Sequence, residues 1–318
     1  MTPKHILPNE WENRNSPSSI LPSFLKALKS DDLQRNLQSL YCNLSEKDKG
    51  IISRILNCFF RLLSKEQPET IFTSAESDEI NNYLSIIQNR IIKLKEDLYC
   101  FNGYFLPISH FAPDLFISRL SYDLLDNPMH ISDKDIIDAG GYVGDSALIM
   151  SSWTSGRVHV FEPISSHKAQ VEKTIQYNNL TNCLLVPKGL GETKAEVEIA
   201  FFGSGSSINK FDKIVFDALK KEKIQVITLD EYVKENDLKV GFIKVDVEGY
   251  EQPLLRGALE TIRTQRPILY VSIYHNADDF FNIKPMIEKL DLGYNFKIAK
   301  VPNGAILVET ALIAEPNA

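Results

Sequence analysis

The segment that most constrains this chain is residues 134–146, KDIIDAGGYVGDS, which combines an apolar strand, a glycine-containing turn and a helix start. Ile136 and Ile137 form a short apolar strand that ends in the carboxylate of Asp138, and a helical pattern begins at Asp145. Glycine allows positive φ angles and a close approach of the backbone, while the first N–H groups of a helix are free to bind polar atoms. The segment therefore predicts a loop that holds a small ligand.

Strand and helix patterns alternate along the rest of the chain, which indicates an α/β domain with a largely parallel sheet. Strands or extended segments are predicted at residues 136–138, 158–161, 184–186, 196–202, 226–229, 242–247, 268–274, 294–298 and 305–313. Helices are predicted at 145–152, 165–178, 230–235, 253–264 and 280–290, with a turn at 189–191 and a glycine-serine loop at 203–207. Because Pro302-Asn303-Gly304 separates the last two strands, they are expected to form an antiparallel hairpin.

The N-terminal part of the chain has a different pattern. Between residues 21 and 95 apolar residues recur at intervals of three and four, which predicts helices. We interpret residues 1–95 as a small helical domain whose first 20 residues are mobile, 96–130 as a connecting segment, and 131–318 as the ligand-binding domain. The helical domain contains no catalytic constellation, so the expected role is a structural cap, with a homo-oligomer formed through it as one possibility.

Composition and charge exclude several classes of function. The chain has 318 residues and a net charge of -7, and its pI is about 5.5. A nucleic-acid-binding domain would normally be basic, so no nucleic-acid partner is expected. The four cysteines are scattered without a CxxC pair, which argues against zinc and disulfides. Neither a signal peptide nor a membrane span is predicted, and we expect a cytoplasmic protein.

Four polar residues are predicted to lie at the carboxyl ends of different strands. In open α/β sheets, ligands bind at this edge, near the point where the strand order reverses. The residues are Asp138, Glu162, Asp246 and His275. One carboxylate at a strand end is often only a helix cap, but four polar side chains along one edge predict a binding site.

The glycine pattern leaves the identity of the ligand open. A dinucleotide site would have the pattern GxGxxG, whereas this chain has DxGGxxG. Asp138 is unfavourable beside a pyrophosphate but suits a ligand that carries an ammonium and a sulfonium, such as S-adenosylmethionine (SAM), whose ribose hydroxyls Glu162 could bind. An NAD-dependent oxidoreductase and a non-catalytic, cofactor-binding scaffold remain alternatives at this point.

From residue 99 to residue 313 the chain resembles the FkbM family of SAM-dependent methyltransferases. The motifs that carry the resemblance are DIIDAGGYVGDSAL at 135–148, VFEP at 160–163, TLDEYV at 228–233, IKVDVEGYEQPLLRGA at 243–258 and ILYVSIYHNADD at 268–279. The resemblance implies a Rossmann-like class I methyltransferase fold, with the cofactor over the first two strands. It also implies methyl transfer to a hydroxyl of a sugar, glycan or secondary metabolite. One departure is the pair Gly141-Tyr142, where an alanine and a smaller residue are commoner.

Site roles follow from the resemblance and from the chemistry of methyl transfer. The residues expected to bind the cofactor are Asp138, Gly140, Gly141, Tyr142, Gly144, Asp145, Glu162, Pro163, Gly189 and Asp246. His275 is the preferred general base, because an unperturbed histidine pKa of about 6.5 suits proton abstraction near neutrality. Asp246 and Glu248 are expected to orient His275 or to bind acceptor hydroxyls; a cation held by the two is a minority interpretation, and no metal site is predicted. Lys244 is expected to neutralise a buried carboxylate.

Overall fold

The computed structural model describes residues 20–64, 74–202, 205–207, 220–301 and 307–317. The helices are α1 (Ile20–Ala27), α2 (Leu33–Tyr41), α3 (Glu46–Leu63), α4 (Ser74–Arg90), α5 (Pro113–Phe116), α6 (Asp145–Met150), α7 (Ser165–Tyr177), α8 (Leu229–Glu235), α9 (Glu251–Arg256), α10 (Leu259–Gln265) and α11 (Ala277–Glu288). The strands are β1 (Ile92–Lys95), β2 (Leu98–Phe101), β3 (Tyr104–Leu106), β4 (Asp135–Ala139), β5 (Val158–Phe161), β6 (Cys183–Val186), β7 (Gly189–Leu190), β8 (Ala195–Phe202), β9 (Gly205–Ser207), β10 (Lys220–Ile227), β11 (Val240–Val245), β12 (Ile268–Ser272), β13 (Tyr294–Lys300) and β14 (Thr310–Pro316).

A seven-stranded sheet forms the centre of the fold, in the order β13-β14-β12-β11-β4-β5-β6. The five strands from β12 to β6 are parallel, and β14 pairs antiparallel with both β12 and β13. Every residue of β11 and β12 is buried, as expected for parallel strands covered by helices on both faces. The predicted Rossmann-like α/β fold, with its C-terminal antiparallel pair, is confirmed.

The order of the strands reverses between β4 and β11. From β4 the chain continues outward through β5 and β6, and it later returns to place β11 and β12 on the other side of β4. Crevices form at such switch points because the connections on the two sides diverge. Two of the four predicted polar strand ends, Asp138 and Asp246, flank this point.

Several local predictions differ from the structure. The segment predicted as a glycine-serine loop contributes strand β9, and the predicted turn at 189–191 contributes strand β7, so that both belong to a second sheet in the order β7-β10-β8-β9. The helix predicted at 253–264 is divided into α9 and α10 at Gly257. A Cβ atom at Gly257 would lie 2.0 Å from the carbonyl oxygen of Gly191, so the division permits a close backbone contact.

The prediction for the connecting region was also incomplete. The helical pattern predicted to reach Leu94 ends at Arg90, and β1 to β3 then form a small antiparallel sheet. Ile91 and Leu94 continued the helical spacing, although Leu94 is exposed and lies on strand β1. The predicted hairpin turn at 302–304 and nearly all of the predicted mobile segment, residues 1–19, lie outside the described residues.

The N-terminal helices share their hydrophobic core with the α/β part. The ring of Phe24 in α1 stacks on Phe59 of α3, with ring centroids 4.9 Å apart, and meets the edge of Phe280 of α11 at 5.3 Å. The predicted division at residue 95 and the oligomeric role of the helices stay predictions. Among the helices in the described ranges, none has both the length and the apolar composition to cross a bilayer.

A buried lysine ties α2 to α11. Lys284 is only 1% exposed, and its ammonium group donates hydrogen bonds to the carbonyl oxygens of Ser39 (3.4 Å) and Cys42 and to the carboxylate of Glu288 (2.8 Å). It thereby satisfies carbonyl groups at the C-terminal end of α2, which the helix itself leaves without donors.

Replacement of Lys284 by methionine is expected to lower the free energy of unfolding by about 1 to 3 kcal/mol, because buried carbonyl groups lose their donor. Urea denaturation followed by circular dichroism measures the change. Lys289→Met, at an exposed position on the same helical segment, is the matched control and should change the unfolding free energy by less than about 0.5 kcal/mol. Equal effects of the two substitutions would contradict the role of Lys284.

Candidate active site

The glycine turn after β4 fits closely between its neighbours. Gly140 has a φ of +90°, and a Cβ atom at this position would lie 1.8 Å from the carbonyl oxygen of Asp246. The N–H groups of Gly140 and Gly141 each donate a hydrogen bond of 3.1 Å to the carbonyl oxygen of Phe161. Gly144, with a φ of +81°, precedes α6. The glycines are therefore needed by the backbone itself, whatever ligand binds above it.

A cavity of about 320 Å³ opens at the carboxyl ends of β4, β5, β11 and β12. Most of the predicted site residues line it: Gly140, Tyr142, Asp145, Glu162, Pro163, Gly189, Asp246 and Glu248. Four other predicted residues are not among the described residues that line the cavity: Asp138, Gly141, Gly144 and His275. The structure thus brings the predicted residues together in one region. Eight of them line the cavity and form its wall, and the other four lie behind that wall in what we call the supporting layer.

Asp138 belongs to the supporting layer. Its side chain is fully buried, 3.2 Å from the ammonium nitrogen of Lys244, and it accepts a 2.6 Å hydrogen bond from the hydroxyl of Ser146. Burial tends to lower the pKa of Lys244, but the surrounding carboxylates, Asp138 foremost, raise it overall. The expectation that Asp138 meets a ligand cation directly is therefore corrected, because Lys244 already neutralises it, as expected for that lysine.

Glu162 lies on the wall and is held by backbone donors. Its carboxylate accepts hydrogen bonds of 2.8 Å from the N–H groups of Tyr142 and Ile164, and His167 Nδ1 lies 3.6 Å from it. These contacts fix the orientation of the carboxylate at the end of β5. Since each carboxylate oxygen has two lone pairs, capacity remains to accept hydrogen bonds from ligand hydroxyls.

Tyr142 and His110 shape the mouth of the cavity. The Tyr142 ring lies edge to face between His110 and His167, with centroid distances of 5.4 and 5.0 Å. His110 Nε2 is 3.9 Å from the carboxylate of Asp145, the first residue of α6. Burial raises the pKa of Asp145, and His110 opposes this shift.

The His275 imidazole is enclosed by three carboxylates. Its Nδ1 lies 2.8 Å from an oxygen of Glu251, while its Nε2 lies 3.5 Å from both Asp246 and Glu248. The same Glu251 oxygen accepts hydrogen bonds from the N–H groups of Val247 (3.1 Å) and Gly249 (3.0 Å). Glu251 thus fixes both the histidine and the loop that carries Asp246 and Glu248. Sequence reasoning missed it, because a glutamate at the start of a helix gives no sign of such a contact.

The environment changes the acid–base character of His275. Burial lowers its pKa, but Glu251 and Glu248 outweigh burial and raise it to about 9. Burial conversely raises the pKa of Glu251, and His275 overcomes this and lowers it to about 2. His275 is thus a cation near neutral pH, and the expected pKa near 6.5 is corrected. A protonated imidazole, only 3% exposed, is poorly suited to abstract a proton from a ligand.

One set of these side chains is close enough to share a cation. Asp246, Glu251 and His275 each offer a ligating atom, and these atoms lie within 4.8 Å of one another. Metal binding requires a neutral imidazole, so a cation would compete with the proton that the carboxylates hold on His275. We assign no metal here.

Sequence reasoning also missed a group of wall residues that come from distant parts of the chain: Asp114, Tyr270, Ser272, Tyr274 and Glu309. Burial, followed by the charge of Asp145, raises the pKa of Asp114 to about 6. Asp114 follows Pro113 in a segment that looked irregular, and no sequence signal placed it near the glycine turn.

Comparisons with known proteins agree with this architecture. A sequence model of the FkbM methyltransferase domain matches residues 138–297, half of the chain. This chain belongs to the FkbM methyltransferase family. "Methyltransferase 1" of the fungus Beauveria bassiana (strain ARSEF 2860) is 23% identical over an alignment of 203 positions that covers 58% of this chain and 80% of that protein.

A solved FkbM methyltransferase shares the fold. The crystal structure from Methylobacillus flagellatus KT superposes with a TM-score of 0.57 at 18% identity and covers 92% of this chain. The present chain spans 62% of that bacterial chain. Membership of the FkbM family supports methyltransferase activity and leaves the dinucleotide alternative without support.

Stability should depend on pH through the His275–Glu251 pair of this FkbM-family chain. Because the pKa of His275 is raised from 6.5 to about 9, its contribution is complete below about pH 6.5 and is lost as the pH rises through about 9. Because the pKa of Glu251 is lowered from 4.5 to about 2, its contribution is complete above about pH 4.5. The pair therefore stabilises the fold most between these limits, about pH 4.5 to 6.5.

We expect His275→Gln to remove a decline in stability that the wild type shows between pH 6.5 and 9, on the order of 3 kcal/mol. Urea unfolding at intervals of half a pH unit measures it. The control is His110→Gln, whose side chain is 44% exposed; this variant should keep the wild-type slope. Parallel curves for wild type and His275→Gln would refute the coupling.

Proposed function

We propose that this FkbM-family chain is a SAM-dependent O-methyltransferase whose acceptor is a hydroxyl of a sugar, glycan or secondary metabolite. The observation that carries the proposal is one cavity at the switch point, lined by Glu162 after β5 and by Asp246 and Glu248 after β11. Such a cavity accommodates a nucleoside-containing donor over β4 and β5 and an acceptor over β11 and β12.

The residues proposed to hold SAM come from the β4 and β5 side. Glu162 would accept hydrogen bonds from the ribose hydroxyls, while Gly140, Tyr142 and Asp145 would form the floor and edge of the site. Pro163 and Gly189 would line the nucleoside end. When bound, SAM supplies a methyl group activated by a positively charged sulfur.

The residues proposed to bind the acceptor come from the β11 side. The side chains of Asp246 and Glu248 are about one-third exposed and line the cavity, so their carboxylates can accept hydrogen bonds from acceptor hydroxyls. One of them, Asp246 in our proposal, takes the hydroxyl proton, and alignment of the acceptor oxygen contributes the rest. His275, whose Nε2 atom lies 3.5 Å from both carboxylates, then acts as a positioning residue for them.

Two further possibilities are separated by binding and transfer measurements. NAD binding in preference to SAM would favour an oxidoreductase. Intact SAM binding without methyl transfer would favour a non-catalytic scaffold. No feature of the described residues favours either.

We expect isothermal titration calorimetry to detect SAM binding by the wild type, and Glu162→Gln to weaken it about 10- to 100-fold, because one ribose hydroxyl loses a charged acceptor. Glu172→Gln, on the exposed face of α7, is the matched control and should bind as the wild type does. An unchanged affinity of Glu162→Gln for SAM, or preferential binding of NAD by the wild type, would contradict the proposed cofactor site.

Transfer of a labelled methyl group from SAM into glycan and metabolite extracts of the source organism tests the acceptor side. We expect Asp246→Asn to lower the rate at saturating SAM by about 10²- to 10⁴-fold, because the general base is lost. His275→Gln should have a smaller effect and should change the pH profile. Wild-type rates in Asp246→Asn would remove Asp246 from the reaction.

A further inference from the structure

Asp114 is a buried carboxylate on the wall of the cavity. It lies in the first turn of α5, is 6% exposed and lines the cavity. Its Oδ1 atom is buried and has no hydrogen-bond partner among the described residues. Buried polar groups are normally satisfied, so a carboxylate with an unpartnered oxygen in the wall of a cavity indicates a partner supplied by a ligand or by water.

The surroundings of Asp114 are acidic. Asp145 and Asp246 raise its pKa through their charges, and His110, on the same segment, opposes them. Glu309, on the segment before β14, interacts with Asp114 in the same sense and is countered in part by Lys300. Lys244, the one lysine or arginine among the described wall residues, pairs with Asp138. The described wall therefore contains six carboxylate side chains and a single lysine.

We propose that Asp114 binds the α-ammonium group of the methionine part of SAM. Asp114 has this role only if the cavity binds SAM as proposed above. The role takes the place that the sequence suggested for Asp138, whose carboxylate is already neutralised.

The spacing of the strands supports this assignment. Glu162 follows β5 and Asp246 follows β11, and β4 lies between them. Neighbouring strands are about 4.8 Å apart, so the two carboxyl ends are separated by about 10 Å. A ligand that places its ribose at Glu162 and extends past the glycine turn brings its amino-acid end toward Asp145, Asp246 and Asp114.

A bound cation would also relieve the electrostatic situation of Asp114. Burial and the neighbouring carboxylates disfavour its ionised form, which raises its pKa to about 6. An ammonium group at hydrogen-bond distance from the carboxylate favours the ionised form. For the same reason, Asp114→Asn should not destabilise the unliganded protein, since it removes a buried charge.

Three ligands separate the ammonium contact from the rest of the cofactor. S-adenosylhomocysteine (SAH) has the ammonium and the carboxylate, decarboxylated SAM has the ammonium alone, and 5′-methylthioadenosine has neither. We expect Asp114→Asn to weaken the first two about 10- to 100-fold at pH 8, and to change the affinity for methylthioadenosine less than twofold. Calorimetry on the full chain measures all three affinities, and thermal unfolding checks that the variant is folded.

Asp97→Asn is the matched control, because Asp97 lies outside the cavity and pairs with Lys173 at 2.9 Å. It should bind all three ligands as the wild type does. If Asp114→Asn binds SAH like the wild type, or loses affinity for all three ligands equally, the ammonium contact is refuted. Failure of the wild type to bind SAH or SAM at all would instead refute the proposed function, so the two failures are distinct.

Discussion

The site depends on the ion pair between Lys244 and Asp138. The Lys244 ammonium group lies 3.2 Å from Asp138 and donates a 3.0 Å hydrogen bond to the carbonyl oxygen of Gly140, so it links β11, β4 and the glycine turn. The N–H group of Asp246 continues the link with a 3.0 Å bond to the carbonyl oxygen of Ala139. Because both charges are buried, loss of either partner would leave the other uncompensated in a low-dielectric interior.

This ion pair also determines which carboxylates are available to a ligand. Asp138 is neutralised by Lys244, accepts a hydrogen bond from Ser146 and lies beneath the turn. The wall above it carries carboxylates from five different segments, among them Asp114 and Asp145. The sulfonium and ammonium groups of the proposed donor, SAM, complement such a wall, whereas its carboxylate does not. Asp138 thus has a structural function below the turn, while the carboxylates on the wall are available to a ligand.

The three carboxylates around His275 raise its pKa and thereby change its acid–base role. Isolated histidine titrates near neutrality and is a natural general base. Here Glu251 holds the imidazole in its protonated form, and the imidazolium in turn holds the loop that carries Asp246 and Glu248. The histidine identified from sequence is therefore close to the proposed chemistry, but its contribution is to position the groups that line the cavity.

The sequence by itself determined the α/β class, most strand positions, the glycine turn and the edge on which Glu162 and Asp246 lie. These features are local: apolar periodicity defines strands, and the glycines that follow Asp138 mark the turn. Only the tertiary structure decided that Asp138 is neutralised, that His275 is charged, and that Asp114 and Glu309 reach the same cavity. Those properties depend on charges and burial contributed by segments far apart in the chain, which no local pattern encodes.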